Sequence, residues 1–216
     1  MTRPFRPAPA LLACALPLAL LAACQQAATP SERNFGAALS KHFETHGELC
    51  VGRHEWPVDV PDTPAATGLR DGIQMPALEQ AGLVAHTAAE MTLHHQDGSS
   101  ETVKARRYAL TDKGRAYFHD KPQTSAATAD AAKADLCYGK VTLARVLDWE
   151  PPRSGQGTPP HQVTTVRYTY VIDAAPWTRE PAVQKAFPVL ARVVNGSGTM
   201  PLTQTLTLTD AGWAVQ

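Results

Sequence analysis

Residues 136–149 read LCYGKVTLARVLDW, and aliphatic and β-branched side chains recur along the second part of this run. That content predicts a β-strand over residues 140–149. The first five letters, LCYGK, match residues 49–53, LCVGR, in type and order. A cysteine-bearing strand is therefore predicted twice, which is the first indication of an internal repeat.

Three further pairs of segments match in the same order along the chain. They are residues 76–81 with 181–186 (PALEQA and PAVQKA), residues 97–99 with 195–197 (DGS and NGS), and residues 110–114 with 208–212 (LTDKG and LTDAG). The order predicts an α+β fold made of two diverged copies of a strand-helix-hairpin unit, with mostly antiparallel sheet. Chance similarity is the alternative, because Asp-Gly and Asn-Gly pairs are common in hairpin turns.

The repeat predicts one helix in each unit. In the first unit, apolar residues at helical spacing predict a helix over residues 69–91, which Gly82 weakens. In the second unit, a helix is predicted to begin at Pro181 and to kink at Pro188. Besides residues 140–149, strands are predicted over residues 102–110, 163–172 and 202–209.

A short N-terminal helix is predicted before the first unit. Ser31 stands where a side chain caps a helix over residues 32–46, and Gly47 follows where helices often end. The apolar stripe of this helix comprises Phe35, Leu39 and Phe43, each four residues from the next.

The N-terminus carries the features of an export signal. Arg3 and Arg6 precede a short apolar run that is broken by prolines and ends in Leu-Ala-Ala-Cys at residues 21–24. These four residues resemble the bacterial lipobox, which implies that Cys24 becomes the new N-terminus and carries lipid. Gln25 follows the cysteine, which implies an outer-membrane address. An ordinary cleaved signal peptide, with Cys24 incidental, is the alternative.

The predicted organisation has five parts. It comprises a signal peptide at residues 1–23, a tether at 24–30, a first α+β unit at 31–118, a linker at 119–135 and a second α+β unit at 136–216. The mature chain is expected to lie in the cell envelope, anchored by acyl chains to the outer membrane and facing the periplasm.

Charge argues against a nucleic-acid partner. The 216 residues carry 20 Lys and Arg against 20 Asp and Glu, whereas nucleic-acid binders normally have a basic excess. Residues 78–117 resemble the helix and wing of winged-helix transcription regulators. A neutral exported chain has no duplex to read, so this resemblance implies a shared local fold and no DNA-binding role.

Two cysteines remain once Cys14 and Cys24 are assigned to the signal and the lipid. An oxidising compartment favours a disulfide between Cys50 and Cys137, which would close a long loop. A reactive thiol pair and two buried free thiols are the alternatives. The two cysteines occupy equivalent positions in the repeat, so the bridge is expected near an axis relating the two units.

Candidate metal ligands are few. His42 and His46 would share one face of the predicted N-terminal helix, while Glu44 points elsewhere. His94 and His95 are adjacent on a strand and face opposite sides. Lys104, Arg106 and Arg107 form a basic cluster that would bind an anion or face solvent. The sequence therefore predicts no metal, no cofactor and no catalytic residue, and hydrolase motifs are missing.

Aromatic residues concentrate in the second unit. The candidate ligand groove consists of Trp149, Tyr168, Tyr170 and Trp177, with burial in the core as the alternative interpretation. Several carboxylates lie near the two tryptophans in sequence, a combination that would suit a sugar if they shared one cleft. A rim of solvated acids is the alternative. These acids are Asp148, Glu150, Asp173 and Glu180.

The second half resembles a group of uncharacterised lipoproteins of proteobacteria. The resembling residues are the LCYGK motif, Trp149-Glu150-Pro151, Tyr168 and Tyr170, Trp177, and Ala186-Phe187-Pro188. Scattered positions over residues 69–216 are also similar to periplasmic carbapenem intrinsic-resistance proteins, and this resemblance implies protection without hydrolysis of the drug. The expected function is a non-catalytic binding or protective role towards an envelope protein or a small molecule. An envelope enzyme acting on glycan or peptidoglycan is the alternative.

Overall fold

The computed structural model describes residues 27–120, 134–155 and 161–216. The predicted signal peptide, Cys24 and most of the predicted linker lie outside these ranges. Within them, the chain mixes helices with antiparallel sheet, as predicted.

The elements follow one another from the N-terminal helix to a C-terminal hairpin. The helices are α1 (Glu32–His46), α2 (Arg70–Gln80), α3 (Asp112–Arg115), α4 (Pro181–Ala186) and α5 (Pro188–Asn195), with 3-10 turns at Ala66–Gly68 and Pro176–Arg179. The strands are β1 (Glu48–Cys50), β2 (Val58–Pro61), β3 (Val84–His94), β4 (Ser100–Leu110), β5 (Phe118–Asp120), β6 (Ala134–Trp149), β7 (Arg153–Ser154), β8 (Gln162–Ala174), β9 (Pro201–Thr209) and β10 (Gly212–Val215).

Two antiparallel sheets organise these elements. The larger sheet has seven strands in the order β1-β6-β8-β9-β10, with β5 also paired to β6 and β7 to β8. It curls into a half-barrel, and α1 packs against β6 and β10. The smaller sheet has the order β2-β4-β3.

Helix α1 has the predicted bounds and the predicted cap. The Ser31 hydroxyl accepts a hydrogen bond from the Asn34 backbone N–H, and the Gly47 N–H donates to the Phe43 carbonyl at the other end. A β-carbon on Gly47 would lie 2.4 Å from the Phe43 carbonyl oxygen and 2.6 Å from that of Val141, so only glycine fits where the chain turns into the sheet.

Two hydrophobic clusters form the core. One lies under α1, where Phe35 and Leu39 are fully buried against inward-facing residues of the large sheet. The other lies between the small sheet and helices α2, α4 and α5, and Trp177 is its largest fully buried side chain.

The helix predicted over residues 69–91 is wrong in its second half. It ends at Gln80, and residues 84–94 form β3. Gly82 has φ +75°, a conformation that reverses the chain and that other residues rarely adopt. From Val84 to His94 each residue faces a partner on β4, and this continuous ladder outweighs the helix propensity of the segment.

The remaining elements agree with the predictions more closely. The second predicted helix begins at Pro181 and is divided at Phe187, immediately before Pro188, into α4 and α5. The predicted strands over residues 102–110, 140–149, 163–172 and 202–209 correspond to β4, β6, β8 and β9, each one or more residues longer than predicted.

The two-copy organisation is not confirmed. Thr111 caps the short helix α3, whereas the matching Thr209 is the last residue of strand β9 and pairs with Gly212. The Asp97-Gly98 pair lies in the β3–β4 turn, whereas the matching Asn195-Gly196 pair ends α5. In addition, β1 and Phe118 of β5, from the first predicted unit, pair with β6 residues of the second, so both units contribute to one sheet.

The ends of the predicted linker are strand residues. His119 lies in β5 opposite Asp135 in β6. The rest of the predicted linker, residues 121–133, lies outside the described residues.

Replacing Leu39 with alanine is predicted to lower the free energy of unfolding by about 2–5 kcal/mol, because the side chain is fully buried beneath α1. Urea unfolding measures the change. Arg33→Ala on the exposed side of the same helix is the matched control and is expected to change stability by less than about 0.5 kcal/mol. Equal effects from the two substitutions would contradict the packing described for α1.

Candidate functional site

A cleft of about 530 Å³ lies between α1 and the β9–β10 hairpin. We call it the α1–β10 cleft. Its helical wall includes small and polar side chains, and its other wall is formed by the hairpin turn and β10. The lining residues are Ala27, Asn34, Ala37, Ala38, Lys41, His42, Glu44, Thr45, Thr209 and residues 211–215.

Strand β10 shapes one wall because it ends the strand order of the large sheet. It pairs with β9 from Gly212 to Val215, and no strand of the described residues pairs with its other edge. Trp213 turns its ring into the core, where it packs edge-on against Phe35 at 5.1 Å between ring centroids. The cleft is therefore bordered by the unpaired edge of β10, and the packing of Trp213 in the core holds this strand in place.

The segment before α1 is packed against this hairpin. The Trp213 indole N–H donates to the Ala28 carbonyl at 3.0 Å, and the Asn34 side-chain amide donates to the Thr29 carbonyl at 2.8 Å. A β-carbon on Gly212 would lie 3.2 Å from that of Ala27. Residues 27–30, predicted as part of a tether, are thus held in place, and only residues 25 and 26 separate Cys24 from Ala27 at the cleft.

One histidine of α1, His42, lines the cleft. The His42 and His46 rings stack with centroids 4.4 Å apart. Burial lowers the pKa of His42, and the neighbouring His46 lowers it further. Among the described residues, no group of three metal-binding side chains includes His42 or His46, which were candidate ligands in the sequence.

The structure places the four candidate groove aromatics in three environments. Tyr168 and Tyr170 are buried in the core beneath α1, and burial raises the pKa of both. Trp177 is buried in the other core. Trp149 is 37% exposed and packs edge-on against Phe35. The four side chains do not line one groove, and three of them fit the core interpretation.

The candidate carboxylates are likewise separated. Asp148 faces Arg167 across β6 and β8 and pairs with it, and both side chains are exposed. Asp173 lies opposite Lys140 near the other end of the same ladder, eight residues away or about 26 Å along an extended strand. Asp148 and Asp173, two of the four acids considered for sugar chemistry, therefore do not lie side by side.

Two members of the basic cluster on β4, Arg106 and Arg107, face acids on or beside β2. The Arg107 guanidinium donates to both carboxylate oxygens of Asp59, at 2.8 and 2.7 Å. This hydrogen bond and the charge of Arg107 lower the pKa of Asp59. Arg106 lies 3.8 Å from Asp62. The predicted strands do not include β2, so these partners are found only in the structure.

The predicted disulfide between Cys50 and Cys137 is confirmed. The two residues face each other across β1 and β6, with their α-carbons 3.8 Å apart. The bridge spans 87 residues of chain. In the chain-entropy description, a loop of this length stabilises the fold by about 4–5 kcal/mol.

A buried carboxylate beside the disulfide was missed by the sequence analysis. Asp135 is fully buried and accepts hydrogen bonds from the backbone N–H groups of Gly52 and Arg53, at 3.2 and 2.8 Å. Gly52 has φ +74°, which aims both N–H groups at the carboxylate. The only sequence signal is the glycine two residues after Cys50.

Comparison of the chain with protein families, with curated proteins and with solved structures finds no match. In the part of the chain that the structure describes, no helix has the length and apolar content needed to cross a membrane.

Stability is predicted to fall as the pH drops below about 6.5, the ordinary pKa of histidine. The folded chain lowers the pKa of His42, so protonation at this site favours the unfolded chain. The loss begins below the ordinary pKa and is complete below the lowered one. Urea unfolding of His42→Gln, compared with the unsubstituted chain between about pH 7 and about pH 5, should show a weaker fall.

Ser40, an exposed residue of the same helix without a titratable group, provides the control, and Ser40→Ala is expected to leave the pH dependence as it is. A His42→Gln chain whose stability falls as steeply as that of the unsubstituted chain would contradict the assignment.

Proposed function

We propose that this chain is a lipid-anchored, periplasm-facing protein of the bacterial envelope that binds a partner in the α1–β10 cleft and performs no catalysis. The observation that carries the proposal is the position of Ala27, which lines the cleft three residues after Cys24. Three extended residues span at most about 11 Å, so acylation of Cys24 would hold the cleft at the membrane surface.

Two further observations support an envelope location. The Cys50–Cys137 disulfide suits an oxidising compartment. The Leu-Ala-Ala-Cys sequence at residues 21–24 resembles a lipobox, and a protein held by acyl chains needs no spanning helix.

The shape of the cleft favours an envelope protein as the partner. An extended segment of another protein would add to the unpaired edge of β10, and its side chains would contact the α1 wall at Ala37 and Lys41. Main-chain hydrogen bonds to β10 would supply most of the affinity. Lys41 and Glu44, one charge of each sign in the cleft, would select among the side chains of the bound segment.

Cys24→Ser is predicted to abolish acylation and to release the chain from the membrane fraction. Mass spectrometry of the N-terminal peptide measures the lipid, and fractionation of cells measures the location. Cys14→Ser, which changes only the predicted signal, is the matched control and should leave both unchanged. An unmodified N-terminus in the unsubstituted chain would contradict lipid anchoring while leaving the cleft proposal to be tested separately.

A photo-cross-linking residue placed at position 211 is predicted to capture an envelope protein. The same residue placed at position 99 is expected not to capture that protein. Ala211 is exposed and lines the cleft, whereas Ser99 is exposed in the β3–β4 turn. Ala37→Arg places a long side chain in the cleft and should reduce the capture at position 211. The adducts are identified by mass spectrometry.

Other outcomes of these experiments would contradict the proposal. Equal capture at positions 211 and 99, or capture at position 211 that Ala37→Arg leaves unchanged, would contradict a partner site in the cleft. Turnover of purified peptidoglycan fragments by the mature chain would favour the envelope-enzyme alternative.

A further inference from the structure

The first half of β6 gathers metal-binding side chains on one face of the large sheet. Cys137 lies on β6 and is bonded to Cys50 on β1. Glu48 stands two residues before Cys50 and therefore projects to the same face. His119 reaches this face from β5, which pairs with β6 on its other side.

The donor atoms of this group are close enough to share one ion. A carboxylate oxygen of Glu48, a ring nitrogen of His119 and the sulfur of Cys137 all lie within 4.8 Å of one another. The sulfur of Cys50 is bonded to that of Cys137, so it lies in the same group. Two sulfurs, one nitrogen and one oxygen form a set that suits tetrahedral zinc.

The disulfide governs whether this set is complete. While the bond exists, neither sulfur is a thiolate, and thiolates are the form of cysteine that binds metal. Glu48 and His119 are then hydrogen-bonded to each other and are the two remaining donors. Two donors on a partly exposed surface hold zinc weakly, whereas four donors from three strands enclose it.

We propose that reduction of the Cys50–Cys137 disulfide converts this cluster into a zinc site formed by Cys50, Cys137, His119 and Glu48. A dithiol reductant supplies the two electrons. Its thiolate attacks the sulfur of Cys50 and Cys137 leaves as a thiolate. The second thiol of the reductant then releases Cys50 and closes a disulfide in the reductant. Zinc binding replaces the thiol protons, which are released to solvent, and a ring nitrogen of His119 coordinates the ion through its lone pair.

The position of Cys50 makes this exchange accessible. β1 has three residues and ends the strand order of the large sheet, and Cys50 is half-buried whereas Cys137 is buried. A cavity of about 240 Å³ borders Cys50 and is lined by Gln74 and Val189 on neighbouring helices. Attack at Cys50 is therefore the open route.

The test uses the purified full-length mature chain in its oxidised form and after treatment with a dithiol. Isothermal titration with Zn²⁺ should show one ion per reduced chain, bound at least about 100-fold more tightly than by the oxidised chain. Co²⁺ in place of zinc should give a thiolate charge-transfer absorption with the reduced chain alone. Thermal unfolding should show that zinc raises the midpoint of the reduced chain and leaves that of the oxidised chain unchanged.

Substitutions separate the four ligands from other histidines and from a loss of folding. His119→Ala and Glu48→Gln should each weaken zinc binding by the reduced chain by about 10-fold or more. His95→Ala, an exposed histidine in the β3–β4 turn, is the matched control and should have no effect. A Cys50→Ser, Cys137→Ser chain should bind zinc as weakly as the oxidised chain. Circular dichroism reports whether each chain is folded.

Three results would overturn the proposal. They are zinc affinity that reduction leaves unchanged, cobalt binding without a thiolate band, and a reduced chain that stays unfolded when zinc is added. None of these results depends on the acylation of Cys24 or on a partner in the α1–β10 cleft. The zinc test is therefore independent of the proposed function.

Discussion

The pairing of β6 with its neighbours is the interaction on which the rest of the structure depends. This strand runs for 16 residues and pairs with β1 and β5 over its first part and with β8 over most of its length. It therefore joins elements that are distant in sequence into one curled sheet. The core beneath α1, the disulfide and the strand order that leaves β10 at an edge all follow from that pairing.

Local rules predicted the elements whose signals are local. Ser31, the apolar stripe and Gly47 fix α1 because a cap, a helical period and a close approach are each decided within a few residues. Pro188 divides the second helical segment for the same reason. The strands that were predicted are rich in β-branched residues, and most of them lie in the larger sheet.

Local sequence patterns do not predict the elements whose structure depends on pairing with distant residues. Residues 84–94 have acceptable helix propensity and become β3 because β4 offers a partner at every position. Strand β2 is short, and its role emerges only through Asp59 and Arg107, which are 48 residues apart. The interpretation of the four aromatic residues as one groove differs from the structure for a related reason. Aromatic residues at strand spacing have the same pattern whether they face a ligand or a helix such as α1, so periodicity cannot separate Tyr168 in a core from Tyr168 in a groove.

The covalent topology has a consequence for proteolysis. The Cys50–Cys137 bridge closes a loop that contains the whole smaller sheet, α2 and the Ala- and Thr-rich residues 121–133. A protease that cut once within residues 121–133 would produce two polypeptides that stay linked through sulfur and through the pairing of β1 and β5 with β6. The product would keep its mass on a non-reducing gel and separate into two fragments on a reducing one. A single cut would thus give two polypeptides that remain one covalently linked molecule.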